Sequence, residues 1–391
     1  MNKIEQLIAK LCPNGVEFKR LGEICESQSK ATLKISDLDK NGLYPVINSG
    51  RDFYGYYNDF NNEGETITFA SRGEYAGYVK YFQGKFFAGG LCYPYKVSLK
   101  NRLLTKFLYF YLKSKEEEIM ENLVSRGSIP ALNKVDIEDF CIPIPPLAIQ
   151  EEIVKILDNF SELTAELTAE LTARKKQYEY YRNTLLDFGD ENNPKDGVEF
   201  KKLGEVGKVC MCRRILKSQT QDVGEVPFYK IGSFGSKANS FIDRELFEEY
   251  KNKYPYPKKG DVLISASGTI GKRVIFDGKD AYYQDSNIVW IDNDETQVLN
   301  KFLFYLYSKI TWNSTSGGTI TRVYNKDLME MSIPIPPLET QQRIIDILDR
   351  FEALTSDYQE GLPAEIKART KQYEYYRDKL LDFKELESKN V

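Results

Sequence analysis

IPIPPLAIQEEIVKILDNF, Ile142–Phe160, returns as IPIPPLETQQRIIDILDRF, Ile333–Phe351. Each copy runs on through KQYEYYR to LLDF, closing at Phe188 and at Phe383. Upstream, GVEFKRLGE from Gly15 returns as GVEFKKLGE from Gly197. The offset is 182 residues at Gly15/Gly197, 191 at Ile142/Ile333 and 195 at Gln177/Gln372. The stretch between the shared segments therefore differs by nine residues and the helix by four. A duplication of this kind builds a pseudo-two-fold molecule, which suits a two-part target.

The prolines of IPIPPL stop any preceding helix and hold the residues before them extended. Beyond them, apolar residues recur every three or four positions: Ile149, Ile153, Ile156, Phe160, Leu163 and Leu167, then Leu171, Arg174, Tyr178, Tyr181, Leu185 and Phe188. This is heptad spacing with one extra residue at Leu167–Leu171, a local relaxation of left-handed supercoiling. Some 40 residues at about 1.5 Å each predict a helix of roughly 60 Å. Its single apolar stripe needs a partner helix, and Glu339–Phe383 supplies one. Gly361-Leu362-Pro363 predicts a kink there, or two helices with Pro363 opening the second.

The intervening segments read as mixed α/β units. Short runs at Thr66–Ala70, Tyr78–Phe82, Val262–Ser265, Val274–Phe276 and Asn287–Ile291 lie between glycine-containing turns and read as strands. Lys106–Leu112 and Lys301–Tyr307 read as matching buried helices, and Lys3–Leu11 as a short amphipathic one. It precedes the first GVEF as the end of the long helix precedes the second, so residues 1–14 are expected to dock beside the C-terminal helix.

The composition excludes much chemistry. Among 391 residues there is no histidine, so there is no histidine base, triad or HExxH zinc site. GTIGKR at Gly268–Arg273 lacks the length and Ser/Thr of a phosphate-binding P-loop, and no NPPY-type methyltransferase tetrapeptide occurs. Cys210 and Cys212 are too sparse for zinc, and the six cysteines read as reduced structural thiols. No run reaches the length of a membrane span, and Glu5 and Gln6 interrupt the apolar start, so a cytoplasmic protein without a membrane is expected. The chain is expected to be non-catalytic.

Charge is unevenly placed. The net −4 resolves into 0 for residues 15–140, +3 for 197–332, −5 for 148–196 and −3 for 338–391. A phosphate-binding surface then belongs to the intervening segments, while the helices face something else. The candidates for nucleic-acid contact are Arg51 and Tyr54 in an aromatic-basic run, Ser71 and Arg72 in FASRG, and Arg126 in SRGS. In the second copy they are Lys230, Lys237, Ser267, Thr269, Lys272, Arg273 and Arg322, the last close behind Ser316-Gly317-Gly318-Thr319. Ser/Gly-rich loops let backbone N–H groups approach phosphates; a plain hairpin turn has the same composition. On the helices, Tyr180 points away from the stripe and Tyr375 repeats it; with the neighbouring Arg182 and Arg377 they are candidates for a protein interface.

At IPIPPLxxQ, LDxF, GLPAEIKAR and KQYEYYRDKLL the chain resembles the specificity (S) subunits of type I restriction–modification enzymes, over nearly its whole length. The resemblance implies an α+β fold: two mixed α/β target-recognition domains separated by an antiparallel coiled coil of two long helices. The divisions would be residues 1–14, an N-terminal helix; 15–147, a first recognition domain; 148–196, a helix and linker; 197–338, a second recognition domain; and 339–391, the kinked helix and tail. It implies that each domain reads half of a split double-stranded DNA site. The helices would set the spacer and hold two modification subunits, with restriction/motor subunits joining later. S-adenosylmethionine, ATP and Mg would belong to those partners. The first helix departs from the pattern in lacking the GLP break, and the two recognition segments are unlike, which implies an asymmetric target. A related system with a fused methyltransferase-nuclease, and a coiled-coil scaffold without DNA, remain open on the sequence. Thr164–Leu167 and Thr168–Leu171 form a tandem TAEL, either a spacer-setting unit or a good helix former.

Overall fold

The computed structural model describes residues 3–310, 312, 322–356 and 360–386, which form two compact units. One unit takes the chain up to Ala169 together with the part from Glu365 onward; the other is Glu170–Ala364. The Ser316–Thr319 loop lies outside the described residues.

In each copy the two motifs that bound the intervening segment are the two strands of one ribbon. In the first unit Glu17–Arg20 pairs antiparallel with Cys141–Ile144, Glu17 opposite Ile144 and Phe18 opposite Pro143. In the second, Glu199–Lys202 pairs with Ser332–Ile335, Glu199 opposite Ile335 and Phe200 opposite Pro334. The register is the same. Proline is tolerated because a two-stranded ribbon leaves one edge free of ladder bonds.

The segment enclosed by each ribbon forms two sheets of common topology. The larger has the order Cys25–Ser27, Cys92–Val97, Glu65–Ala70, Val79–Gln83, matched by Gly207–Cys210, Ile288–Asn293, Val262–Ser265, Arg273–Ile275. The smaller has Gly55–Tyr57, Tyr44–Ile47 and Phe87–Ala88, matched by Phe241–Ile242, Val226–Tyr229 and Tyr282–Tyr283, with a parallel pair in each. Helices Thr105–Ser114 and Asn300–Leu306 supply buried Phe107, Leu108 and Leu112, and Phe302, Leu303 and Leu306. The inserts differ: among the described residues a helix at Glu116–Asn122 follows the core helix of the first unit, and the second unit inserts a helix at Arg244–Lys253.

After the prolines, helix Leu147–Leu185 runs 39 residues without a break. Its counterpart is two helices, Leu338–Ser356 and Leu362–Leu380. Pro363 lies in the first turn of the latter, where its missing N–H costs nothing, and the Gly361 carbonyl accepts the Ala364 N–H at 2.9 Å. Within each unit the helices pair antiparallel. In the first, Phe160 stacks on Tyr376 at 5.6 Å while Leu380 and Leu381 reach the cluster holding Ile149 and Ile153. In the second, Tyr181 stacks on Phe351 at 5.3 Å, and Leu186 packs with Ile344 and Leu348.

The predicted stripe needs correction at both ends. The buried positions of the long helix are Ile149, Gln150, Ile153 and Leu157; Ile156 and Phe160 are half-buried. Where a helix meets a globular core, more than a heptad seam is covered. Phe188 lies beyond the helix end and is buried against Phe302, at 6.2 Å. Between them, Leu163, Leu167 and Leu171 are only half-buried, as one partner helix leaves their flanks open.

One glutamine fastens each helix to its unit. Gln150, fully buried, donates through Nε2 to the carbonyls of Arg102 (2.7 Å) and Pro145 (2.6 Å) and accepts the Leu104 N–H at 2.9 Å. Gln341 donates to Gln297 (2.9 Å) and Pro336 (2.7 Å) and accepts the Leu299 N–H at 2.8 Å. About two turns farther on, Asp158 pairs with Lys106 and Asp349 with Lys301, each at 2.6 Å.

The helix Lys3–Leu11 packs in the first unit, with Ile4 buried in the cluster that holds Leu380, and Glu5 lies 3.8 Å from Lys379. Val16 donates to the Lys384 carbonyl at 2.8 Å and accepts the Leu386 N–H at 3.0 Å. Gly15 makes this approach possible: its φ is +105°, and a Cβ there would stand 2.5 Å from the Lys384 oxygen. Among the described residues no helix is long and apolar enough to cross a membrane.

Gln150→Leu leaves one buried N–H and two carbonyls unpaired, so we expect a loss of about 2–4 kcal/mol of stability. Gln342→Leu, at the exposed position next to Gln341 on the counterpart helix, should stay within about 0.5 kcal/mol. Urea denaturation of the two variants checks the contrast, and equal midpoints would remove the fastening role.

Candidate nucleic-acid interface

In the first unit the strand Glu65–Ala70 delivers its chain into a crowded loop rim. The Ser71 N–H donates to the Leu91 carbonyl at 2.9 Å, and Leu132 N–H donates to the Ser71 carbonyl at 2.9 Å. Gly73 N–H donates to Pro130 at 2.9 Å, and Asn48 Oδ1 accepts the Leu91 N–H at 2.9 Å. Loops 48–54, 71–78, 89–91 and 125–131 thereby share one surface. On it Arg51, Tyr54, Arg72 and Arg126 are all exposed. Arg51 lies over the rings of Tyr75 (4.9 Å) and Tyr78 (5.9 Å), which restricts a flexible cation without neutralising it. Ser71 is buried and serves the rim's backbone bonding.

Two cations of this rim escape sequence reasoning. Lys30 donates to the Gly90 carbonyl at 3.0 Å and lies over the Tyr93 ring at 4.3 Å. Lys80 donates to the Asp52 carbonyl at 3.1 Å. Burial lowers the pKa of both ammonium groups. Neither has a local signal; each is brought to the rim by strand pairing with distant residues.

The second unit repeats the rim with other side chains. Ala266 N–H donates to the Asn287 carbonyl at 2.8 Å, and Val323 N–H to Ala266 at 2.9 Å, so Ala266 stands where Ser71 does. The isolated bridge Arg72–Ala131 becomes Ser267–Arg322, which moves the arginine to the opposite partner. Arg322 donates to the Ser286 carbonyl at 2.8 Å, and the buried Ser267 donates to Asn287 Oδ1 at 2.7 Å. Thr269, Lys272 and Lys237 are exposed, and half-buried Lys230 lines a cleft with Arg214, Lys217, Gln284 and Asp285. Arg214 and Lys217 are further cations that the sequence reading missed.

Arg273 is a correction. It sits in the strand Arg273–Ile275 with its guanidinium over the Phe304 ring at 4.7 Å, turned to the helix that backs the sheet. Its Nε is buried with no partner among the described residues, and burial lowers its pKa. Strand alternation decides this: neighbouring Lys272 faces solvent, so Arg273 cannot also do so.

On the helices Tyr180 and Tyr375 are 65% and 62% exposed. Each meets the next tyrosine edge-on, at 5.6 and 5.4 Å. Arg182 lies over Tyr178 at 5.6 Å and Arg377 over Tyr373 at 5.9 Å, so the two copies present the same motif. Among the described residues no cluster of three or more His, Cys, Asp or Glu is arranged to hold a metal ion.

A family model described as the type I restriction modification DNA specificity domain matches the chain twice, over residues 13–174 and 195–368. The chain belongs to this family. It is 46% identical over 380 residues to a putative type I restriction enzyme specificity subunit of Haemophilus influenzae, covering 94% of this chain and 96% of that one. It is 32% identical over 394 residues to the specificity subunit of the Escherichia coli type I restriction enzyme EcoR124I/EcoR124II, covering 94% of each. The crystal structure of a type I S subunit from M. genitalium shares the fold, with a TM-score of 0.64 at 18% identity over 94% of this chain and 97% of that one. The two family matches take in both rims.

Arg72 is exposed, and its first-unit position has no arginine counterpart on the same strand of the second. Arg72→Ala is expected to weaken binding of one half-site by about 1–3 kcal/mol and leave the other unchanged. Competition binding of the assembled complex with half-site variants measures this; equal weakening at both halves would assign Arg72 to phosphate contact or structure.

Proposed function

We propose that this chain is the DNA sequence-recognition subunit of a type I restriction–modification complex. Each recognition domain reads one half of a bipartite, asymmetric site, and the helices set the spacer and dock the modification subunits. The observation that carries this is the duplicated rim: one topology and one backbone hydrogen-bonding scheme, furnished with different cations and polar groups. A shared frame with unlike side chains is what two unlike half-sites require. The match of the family model to both copies, and the names of relatives that span nearly the whole chain, support this reading over a fused methyltransferase-nuclease system or a DNA-free scaffold.

The partners in this reading are double-stranded DNA, two methyltransferase subunits and restriction/motor subunits. S-adenosylmethionine, ATP and Mg are used by those subunits, and this chain contributes no catalytic group. Its rim cations supply part of the phosphate affinity, and the strongly charged partners the rest, so binding should fall steeply with salt. Exposed Tyr180 and Tyr375, each beside a stem-packed arginine, are the proposed contacts for the modification subunits.

Co-expression with modification subunits, followed by single-molecule sequencing for methyladenine, tests the whole reading. We expect a split motif with two different halves. A continuous motif, or no methylation by the assembled complex, would refute it.

The unbroken helix gives the spacer a physical ruler. Four helical residues add about 6 Å and about 40° of net rotation, while a turn of ten to ten and a half base pairs makes one pair about 34–36°. Deleting Thr168–Leu171 is therefore expected to shorten the preferred spacer by about one base pair. The same sequencing reads it, and an unaltered spacer would reduce TAEL to a helix former.

A further inference from the structure

The turn Gln284-Asp285-Ser286-Asn287 joins the strands Tyr282–Tyr283 and Ile288–Asn293 of the second unit. In the first unit the same connection is Gly89-Gly90-Leu91, as Leu91 and Asn287 accept equivalent backbone bonds from Ser71 and Ala266. The two glycines of that first turn are bare backbone held close to their neighbours: a Cβ on Gly89 would lie 2.6 Å from Asn48 Oδ1, and one on Gly90 would meet the Thr32 hydroxyl. The second turn carries an amide, a carboxylate, a hydroxyl and another amide.

The second turn is held rigidly. Gln284 N–H donates to the Tyr229 carbonyl at 2.9 Å, and Gln284 Oε1 accepts the Ile231 N–H at 3.0 Å. Arg322 clamps the Ser286 carbonyl at 2.8 Å, and Ser267 holds Asn287 Oδ1 at 2.7 Å. Ser286 has φ +54°, a left-handed conformation that a non-glycine residue keeps only when its surroundings enforce it. Because a backbone N–H fixes the amide oxygen, the orientation of the Gln284 amide is settled. Nε2 then points the other way, and it has no partner among the described residues.

The surroundings specify what Nε2 can meet. The cleft it lines, about 240 Å³, is walled by Arg214, Lys217 and Lys230 and also by Asp285, which lies 4.0 Å from Arg214. The cations draw DNA to the rim, while the adjacent carboxylate disfavours a phosphate oxygen at Gln284 itself. A neutral base edge suffers no such repulsion. Acceptors on base edges in the major groove are purine N7, guanine O6 and thymine O4.

We propose that Gln284 is a specificity-determining residue of the second recognition domain, its Nε2 donating to an acceptor on one base of one half-site. The inference rests on the DNA-recognition reading above. It also accounts for the unlike halves, since Gly89 and Gly90 offer no side chain at the matching place and the first domain must read its bases from other loops.

Gln284→Glu in the assembled methyltransferase complex isolates the donor. It keeps an oxygen to accept the Ile231 N–H and replaces only the outward NH2 with an acceptor. Methylome sequencing is expected to show about a tenfold or greater loss at the original site. Preference at a single base pair should shift toward a base that presents an amino group, adenine or cytosine, with the other half-site unaltered. Gln284→Met, which has no hydrogen-bonding amide, should make that same base pair degenerate and serves if the glutamate variant does not assemble. An unchanged motif in either variant overturns the proposal, as does a uniform loss of methylation with no change at any position. Wild-type complex run alongside separates the two levels: if it methylates no split site, the recognition reading fails, whereas a normal wild-type motif with an insensitive Gln284 sinks only this assignment.

Discussion

A buried glutamine amide bonded to three backbone groups is the constraint on which each unit depends. Gln150 and Gln341 stand one turn into their helices, and each binds the proline carbonyl behind it and both sides of the loop entering a core helix. Those half-buried loop groups have no ladder to join. Leaving one unpaired costs about 1–3 kcal/mol, so the loop, the ribbon and the helix start can coexist in only one arrangement. The proline pair contributes by removing N–H donors that would compete and by fixing the chain's direction into the helix.

With the helix fixed to the unit, its direction is transmitted to the ribbon and from the ribbon to both sheets. The rim lies where strands of the two sheets run into loops. Its backbone is satisfied by the rim's own carbonyls and N–H groups, so side chains are released from structural duty at exposed sites and can vary between copies. Arg72 and Arg322 illustrate this, since one bridge carries its arginine on opposite partners in the two units. Ser71 and Ser267 are instead buried among the bonds that hold the rim together.

The asymmetry in charge follows the same division. The acidic stretches coincide with the helices, where Asp158 and Asp349 pair with lysines of the core helices and many other carboxylates face solvent. The rims keep cations that are stacked on rings or bonded to carbonyls, interactions that position a positive charge and leave it available. Arg273 shows the alternative fate of a basic side chain, spread over Phe304 behind the sheet.

By itself the sequence determined the duplication, the long helix with its antiparallel partner, the strand-rich segments and the family. These depend on short-range rules: side chains repeat with the backbone period, proline lacks a donor, and two copies of one motif adopt one local structure. The helix break at Gly361–Pro363 and the outward tyrosines at Tyr180 and Tyr375 belong to the same class. Only the tertiary structure decided which polar residues serve the interior and which face outward. Gln150 has the hydrophilic character of a surface residue and is fully buried, Lys30 reaches a carbonyl sixty residues away, and Gln284 is orientated by a neighbouring strand's amide. The partner of a polar group is chosen by whichever distant backbone atom the fold brings within about 3 Å, and no local pattern encodes that distance.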